Sequence, residues 1–545
     1  MSGPGPGQAE PPAPESAAGG GSYLRRLATT GAAYTAASII SKLIAVALLP
    51  LYTRYLTPAD YGAAEIMFGA VVAASIVIRL GAIEALLRFY YKSGESPEKV
   101  VSTSFAVLFW AGAASVAVLM PLAAPVSELL LGESDPALAR VAIAGLWVLT
   151  LSEYLLTLFR LDERARPYFT VTMISVLLTI PVTVILVVPL ELGAIGLLAG
   201  SYGTGVAVVL GLIIHHRRRL SLKVDPPLLG RLLRFGLPTM PAELSLYSLN
   251  FVDRILIARM VGLKEAGLYS IAIKVAQSVN VLVRGFQLAF PPLAYSIADD
   301  DEAARAYSAV VTWFVAVMSL LVTGVWLAAP WIVRIFAAPD YYEAHLAVGP
   351  VVAGTAIYAL YMVLLVVLGR TGRTEFNFPA TAAGLVVNVI LNLALLPVWG
   401  IVGAAVALGI SYLVVVGLMY LFTQRLFPVP YEWGRLVRLV GSSAALIAIG
   451  AVLVPDHGLG YLAIRLLLVA ALPFTLLATG FFTPEERGWL ARLTRPAELK
   501  QKLHEARAAG RAAGEAGTGH PGGPGRPGGL PESAEVEQWD EDLRA

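Results

Sequence analysis

The sequence predicts an all-α membrane protein of about fourteen transmembrane helices, built as two six-helix lobes followed by a trailing pair. Three observations predict it. Apolar residues make up 57% of the chain and charged residues 14%, against roughly 45–50% and about 25% in soluble domains. Apolar runs of ~20 residues, enough to cross a ~30 Å hydrocarbon core, recur along the chain. The loops between these runs alternate between rich and poor in Lys and Arg.

Residues 1–22 (MSGPGPGQAEPPAPESAAGGGS) hold too few large apolar groups to pack a core and read as a disordered tail. Arg25 and Arg26 stand behind that tail, and the run after them is long enough to span, so no cleavable signal peptide is expected. Spans are expected at about 28–56, 62–87, 102–122, 140–160, 168–189 and 193–214 for the first lobe, which occupies 24–220. The second lobe, 226–425, takes spans at about 235–258, 267–295, 306–330, 345–368, 376–396 and 400–424. The trailing pair lies at about 435–454 and 461–482, within 434–483. The tail, 484–545, opens as a basic, partly amphipathic helix and reads as a solvated helix at the membrane surface.

With both termini in the cytoplasm, the inner loops carry roughly 20 Lys and Arg and the outer ones about six, so the positive-inside rule fixes the orientation. The inner set includes the cluster Arg217, Arg218, Arg219 and Lys223; the outer set includes Arg54, Arg259, Arg334 and Arg465. This places a multi-pass protein in the cytoplasmic (inner) membrane with both ends inside.

The chain also repeats itself. A shift of 205 residues lays Arg54 on Arg259, Asp60 on Glu265, Gly62 on Gly267 and Arg79 on Arg284. A shift of 207 lays Arg166 on Arg373, Phe169 on Phe376, Gly193 on Gly400 and Gly196 on Gly403. Two units of six spans each have the same orientation, related by a pseudo-two-fold axis along the membrane normal.

Five cations and five acids stay at membrane depth: Lys42, Arg79, Arg254, Lys274 and Arg284, with Glu65, Glu84, Glu153, Glu243 and Asp253. Each is worth about 2.5–3.5 kcal/mol of insertion penalty at a span centre, which marks them as functional by default. All except Glu153 fall on the first two spans of each lobe. On span 7, Glu243, Tyr247, Asn250 and Arg254 run i, i+4, i+7, i+11, one helical stripe, with Pro238 and Pro241 able to bend its first turn. On span 8, Lys274, Gln277, Asn280, Arg284 and Gln287 share a broad arc, and on span 2 Glu65, Ser75 and Arg79 share a face that Glu84 does not. These faces are expected to line a cleft between the lobes. The bland alternatives are that Asp253 and Arg254 pair or snorkel near a helix end, that Glu84 is structural, that Glu153 bonds between helices, and that Asn388 and Asn392 are packing glue.

Other classes of chemistry find no support. The net charge of +2 argues against a nucleic-acid partner, and the absence of Cys removes disulfides and thiolate chemistry. There is no nucleotide-phosphate loop, no H-E-x-x-H and no metal spacing among the six His. No catalytic residue, metal or cofactor is therefore expected, and the expectation is a transporter rather than an enzyme.

Residues 236–275 (GLPTMPAELSLYSLNFVDRILIARMVGLKEAGLYSIAIKV) resemble the central signature of polysaccharide flippases in the multidrug/oligosaccharidyl-lipid/polysaccharide exporter (MOP) superfamily. The matching parts are Gly236, Leu237 and Pro238, the pair Asp253 and Arg254, and Ala266, Gly267, Leu268 and Tyr269; residues 51–62 (LYTRYLTPADYG) are similar to that family's end of span 1. The resemblance covers about residues 24–483. It implies two six-helix lobes that rock around a central cavity and flip polyprenyl-pyrophosphate-linked oligosaccharide. Lys42, Arg79 and Arg284 are the cations most similar in placement to those that hold the pyrophosphate; Lys274 joins them from the reading of span 8. Glu65, Glu153, Glu243, Asn250, Asp253, Arg254 and Gln277 are the polar or ion-coupling candidates. Partners implied are the lipid-linked oligosaccharide, membrane lipids, a coupling cation (H+ or Na+), and a glycan polymerase with glycosyltransferases. Three rivals stay open: a cation-coupled multidrug exporter, a peptidoglycan lipid-precursor flippase, and a non-transporting scaffold of a glycan assembly complex.

Overall fold

The protein is seen in a computed structural model that describes residues 46–92 and 96–493, with positions 40 and 44. The terminal tail 1–22 and Lys42 lie outside the described residues, as does the tail after residue 493. Among the described residues the regular structure is helical throughout. The first half of the chain gives α1 (Leu49–Tyr55), α2 (Pro58–Arg79), α3 (Ala82–Lys92), α4 (Pro97–Leu119), α5 (Ala123–Leu131), α6 (Pro136–Leu161), α7 (Ala165–Val187) and α8 (Gly193–His216). The second half gives α9 (Pro226–Gly236), α10 (Met240–Leu249), α11 (Val252–Met260), α12 (Leu263–Gln277), α13 (Asn280–Ser296), α14 (Asp300–Phe336), α15 (His345–Arg370) and α16 (Asn377–Leu426). Then come α17 (Trp433–Leu453) and α18 (Leu459–Ala478). The contacts divide the chain into Met1–Thr479 and a second unit, Gly480–Ala545, whose described helix is α19 (Pro484–Leu493).

Among the described residues ten helices are long and apolar enough to cross a membrane, eleven if the bent pair α12 and α13 counts as one span. This is fewer than the fourteen runs read from the sequence, and the differences have local causes. The run at 62–87 breaks where Leu80 and Gly81 both take positive φ (51° and 67°), so α2 ends and the amphipathic α3 begins. The run at 235–258 divides into α9, a 3-10 turn at Leu237–Thr239, α10 and α11. Pro238 and Pro241 lack the N–H that would carry a helix through, and the second break falls at Asn250 and Phe251, whose N–H groups turn back to Tyr247 and Ser248. The run at 267–295 bends by 48°. The runs at 376–396 and 400–424 continue into one another as α16, 50 residues long, with Gly400 (φ 53°, ψ −137°) breaking it near the middle. Of the first run only the last part is described, and it contributes α1.

Local chemistry fixes the starts. Thr57 caps α2 with a full capping box, its hydroxyl accepting from the Asp60 N–H (3.1 Å) while the Asp60 carboxylate accepts from the Thr57 N–H (3.3 Å). Asp135, Asp225 and Asp299 cap α6, α9 and α14 in the same sense. Asp225 also meets the Lys99 ammonium at 2.8 Å, and this partner, with the Leu228 N–H, holds its carboxyl below the usual carboxylate range.

The two halves touch along α2 and α12. A Cβ on Gly62 would stand 2.3 Å from the Leu263 carbonyl oxygen, and one on Gly267 would stand 1.9 Å from that of Pro58, so the helices meet backbone to backbone. Near the other end of α2, Gly81 and Gly236 approach as closely. At the α1 end, Thr53 Oγ1 accepts from Ala338 N (3.0 Å) and Tyr341 donates to the Leu56 carbonyl (3.0 Å). At the α11 end, Arg259 donates to the Leu129 carbonyl of α5 (2.8 Å). Gly267→Leu is expected to lower the thermal unfolding temperature in detergent, at a cost of about 1–3 kcal/mol from overpacking. Gly417→Leu is the control, since a Cβ there meets nothing within 4 Å.

Candidate functional site

Three charged groups gather where α2, α6 and α10 converge. Arg79, at the last turn of α2, puts one guanidinium nitrogen 3.0 Å from Glu153 of α6 and the other 2.8 Å from Glu243 of α10, while its Nε donates to the Ser75 carbonyl (3.3 Å). One cation thus bridges a carboxylate of its own half and one of the other. Glu84 is left beyond the break, on α3.

A second cluster lies deeper between α2 and α12. Glu65 is 7% exposed; the Lys274 ammonium sits 2.9 Å from one carboxylate oxygen and the Arg254 guanidinium 3.7 Å from the other. Asp253, fully buried, accepts from the Tyr269 hydroxyl at 2.5 Å rather than pairing with its neighbour Arg254. Asn388 and Asn392 are also fully buried and bond to each other, Asn392 Nδ2 donating to the Asn388 backbone and side-chain oxygens (2.9 and 3.1 Å).

Beside the second cluster a cavity of about 320 Å³ opens among α10 to α13, α15 and α16. Among the described residues that line it, the cations are Arg254 and Arg284 and there is no carboxylate. Tyr247, Asn250, Gln277, Asn280, Gln287, Thr355, Tyr358 and Tyr412 supply the neutral polar groups, and Phe251, Ile273, Val283, Val351 and Leu408 part of the apolar wall. Tyr412 donates to the Asn250 side-chain oxygen at 2.5 Å, and Asn250 donates to the Leu246 carbonyl at 2.9 Å, so α16 holds the amide at the break between α10 and α11. Arg254 Nε is buried with no hydrogen-bond partner among the described residues. Fixed cations and amides in a partly enclosed apolar space suit an anionic, hydroxyl-rich ligand.

The structure sorts the sequence candidates into three places. Arg254, Arg284, Asn250 and Gln277 meet in the cavity, together with Asn280 and Gln287 from the same arc of span 8. Arg79, Glu153 and Glu243 form the first ion cluster, and Lys274 with Glu65 the second. Asp253 lies behind the cavity wall, and Arg79 and Arg284, equivalent by the 205-residue shift, do not share one site. The expected cleft between the halves is occupied at these points by ion pairs, while the described residues that line the cavity come from the second half. The sequence reading missed Thr355, Tyr358 and Tyr412. Their signal was present, as hydroxyls embedded in apolar spans, on helices of which α15 packs against α12 and α13, and α16 against α10, α11 and α12.

Residues 51–346 match a family described as polysaccharide biosynthesis protein. No curated protein matches the chain in sequence. Among solved structures the chain is similar to the lipid II flippase MurJ in an inward closed conformation, with a TM-score of 0.66 at 16% identity over 82% of this chain and 97% of that one. It is similar to an inward-facing multidrug resistance transporter of the MATE family, of the MOP superfamily, with a TM-score of 0.60 at 16% identity over 71% of this chain and 97% of that one. A third is a MOP superfamily transporter from Pyrococcus furiosus, described as having a binding pocket of reverse polarity, with a TM-score of 0.54 at 15% identity over 76% and 96%. At such identities the likeness establishes the fold, and with the family match it bears out the resemblance carried by residues 236–275. The chain belongs to the polysaccharide biosynthesis protein family and is a multi-pass membrane protein with the fold of the MOP superfamily transporters.

Proposed function

We propose that the protein flips a polyprenyl-pyrophosphate-linked oligosaccharide across the cytoplasmic membrane by alternating access, for cell-surface polysaccharide biosynthesis. The observation that carries this reading is the cavity, with two arginines, a set of amides and phenols, and no carboxylate among its described lining residues. A pyrophosphate takes Arg284 and Arg254, and the sugars take Asn250, Gln277 and the tyrosines. One charge pair at 4 Å is worth about 4 kcal/mol of gross attraction at an effective dielectric of 20, enough to compete with the 3.7 Å contact between Arg254 and Glu65. Substrate binding then loosens Glu65, and with it the contact between the halves.

The wider architecture follows the same reading. The halves are two lobes, 24–220 and 226–425, trailed by 434–483 and the tail 484–545, and related by a pseudo-two-fold axis. Gly62 and Gly267, equivalent by the repeat, touch each other's helices, and the end of each lobe's first span reaches the other lobe. Counting α16 as two spans and α10 with α11 and α12 with α13 as one each gives thirteen among the described residues, and the run at 28–56 expected from the sequence is the fourteenth. The excess of Lys and Arg puts both termini in the cytoplasm. Lys42, Arg79 and Lys274 are the remaining cations for the substrate, Glu65, Glu153, Glu243 and Asp253 are the groups for a coupling H+ or Na+, and glycosyltransferases act before the step and a glycan polymerase after it. The step is translocation, with no bond made or broken.

Flipping of lipid-linked oligosaccharide in liposomes tests this. Arg284→Ala is expected to lower the rate about tenfold or more, the loss of one charge-assisted contact, with partial recovery in Arg284→Lys. Wild-type flipping by both Arg79→Ala and Arg284→Ala sinks the reading. Export of amphiphilic cations, rescue of a strain depleted of its peptidoglycan-precursor flippase, or full function after neutralising every intramembrane charge would favour the three rivals in turn.

A further inference from the structure

A second cavity, of about 550 Å³, lies between α7 and α8, far in sequence from the site above. Its walls are apolar along most of their length: Val171, Ile174 and Leu178 from α7, Ala207, Val208 and Leu212 from α8. At one end stand Arg166 and His215, with Phe159 closing the floor and packing against the His215 ring at 5.4 Å. Because α7 and α8 are antiparallel, Arg166 in the first turn of α7 and His215 in the last turn of α8 fall at the same end. Arg160, in the last turn of α6, and Arg164, Arg217 and Arg218, on the connections, are exposed at that end.

The helix α7 is also the least covered of the ten spans, with 11% of its apolar window buried inside the protein, so the groove faces the bilayer. From Arg166 to Leu178 is twelve residues, about 18 Å of helix, which is the reach of a phospholipid acyl chain. A basic mouth above an apolar groove between transmembrane helices is complementary to one class of molecule in its surroundings, a lipid with a negative headgroup.

We propose that the groove between α7 and α8 is a binding site for an anionic glycerophospholipid, its phosphate on Arg166 beside His215 and one acyl chain along Ile174, Leu178 and Val208. The mouth lies with the loops that carry the excess of Lys and Arg, so the lipid belongs to that leaflet. The site needs no transported substrate and stands apart from the reading of the cavity at Arg284.

The test is lipid retention by the full-length protein, transferred from vesicles of phosphatidylglycerol or of phosphatidylcholine into detergent and weighed by native mass spectrometry. Wild-type protein is expected to keep one phosphatidylglycerol through detergent washing and to exchange phosphatidylcholine freely. Arg166→Ala is expected to weaken that retention about fivefold, the share of one arginine at an anionic surface. Gly211→Leu fills the groove at a position where a Cβ meets nothing within 4 Å, so folding is kept while the acyl chain is shut out, and retention is expected to vanish. Equal retention of the two lipids, or unchanged phosphatidylglycerol in both variants, overturns the proposal. So does displacement of phosphatidylglycerol from the groove by equimolar polyprenyl phosphate, which would make it a tail site for the transported lipid. None of these readings depends on flipping, so failure here leaves the cavity untouched.

Discussion

Glu65→Ala is expected to destabilise the protein by about 3–5 kcal/mol, the effect of breaking a buried ion pair by removing one partner. Glu65 is 7% exposed and is the carboxylate between two cations, Lys274 at 2.9 Å and Arg254 at 3.7 Å. Its removal leaves an ammonium and a guanidinium facing each other in a space closed to water on most sides. Neither can reach the carboxylates on Arg79, which belong to another cluster. Because α2 and α12 are joined backbone to backbone at Gly62 and Gly267, they cannot part to admit water without giving up that packing. The measurement is thermal unfolding in detergent with a double-mutant cycle on Glu65 and Lys274. Glu65→Ala with Lys274→Met should lose less than the sum of the single changes, since the second removes the cation that the first strands, while Arg254 keeps the double variant below wild type. An unfolding temperature equal to wild type for Glu65→Ala, or strict additivity in the cycle, would show that the pair does not hold the halves together.

How much of this was legible in the sequence depends on what marked each feature. A run bounded by polar residues or Pro shows both ends: 345–368 becomes His345–Arg370, and 168–189 becomes Ala165–Val187. Breaks inside an apolar run are harder. Pro238 and Pro241 announce the turn before α10, but the bend between α10 and α11 depends on Asn250 being held by Tyr412 from α16, a contact 162 residues away in the chain. The break at Leu80 and Gly81 similarly depends on Gly236 lying against Gly81. Helical spacing placed Tyr247, Asn250 and Arg254 on one face, and all three line the cavity; Glu243, from the same stripe, turns instead to Arg79. Periodicity says which residues share a face, and only tertiary packing says which neighbour that face meets. Charge gave Arg284 away at once because a cation inside a span carries a penalty. Tyr358 and Tyr412 carry no such penalty, and so they passed as apolar residues until the structure placed their hydroxyls beside Asn250 and Arg284.

A reversible tether between the halves should stop flipping altogether. The chain contains no Cys, so two introduced thiols would be the only ones present. A Cβ on Gly132, at the end of α5, would lie 3.6 Å from the Arg259 Cα of α11 and 3.9 Å from its Cγ, which brings the two Cβ atoms close to the roughly 3.5–4.5 Å that a disulfide takes. Gly132 has φ +81°, so a Cys there costs about 1–2 kcal/mol of backbone strain, which a protein of ordinary stability tolerates. Alternating access requires packed halves to separate at one face and close at the other, a change between discrete arrangements rather than a continuous flexing. An S–S bond of ~2 Å at this contact forbids the arrangement in which α5 and α11 part. Gly132→Cys with Arg259→Cys is therefore expected to flip lipid-linked oligosaccharide when reduced, to fall to the rate of empty liposomes when oxidised, and to recover with reductant. Each single variant should ignore the oxidant. In cells, a membrane-impermeant oxidant added outside should close the bond, because Arg259 falls among the outer-side cations in the positive-inside orientation. Quantitative disulfide formation with undiminished flipping would mean that this contact stays closed throughout the cycle, and the two lobes would then have to move about α5 and α11 as a fixed hinge.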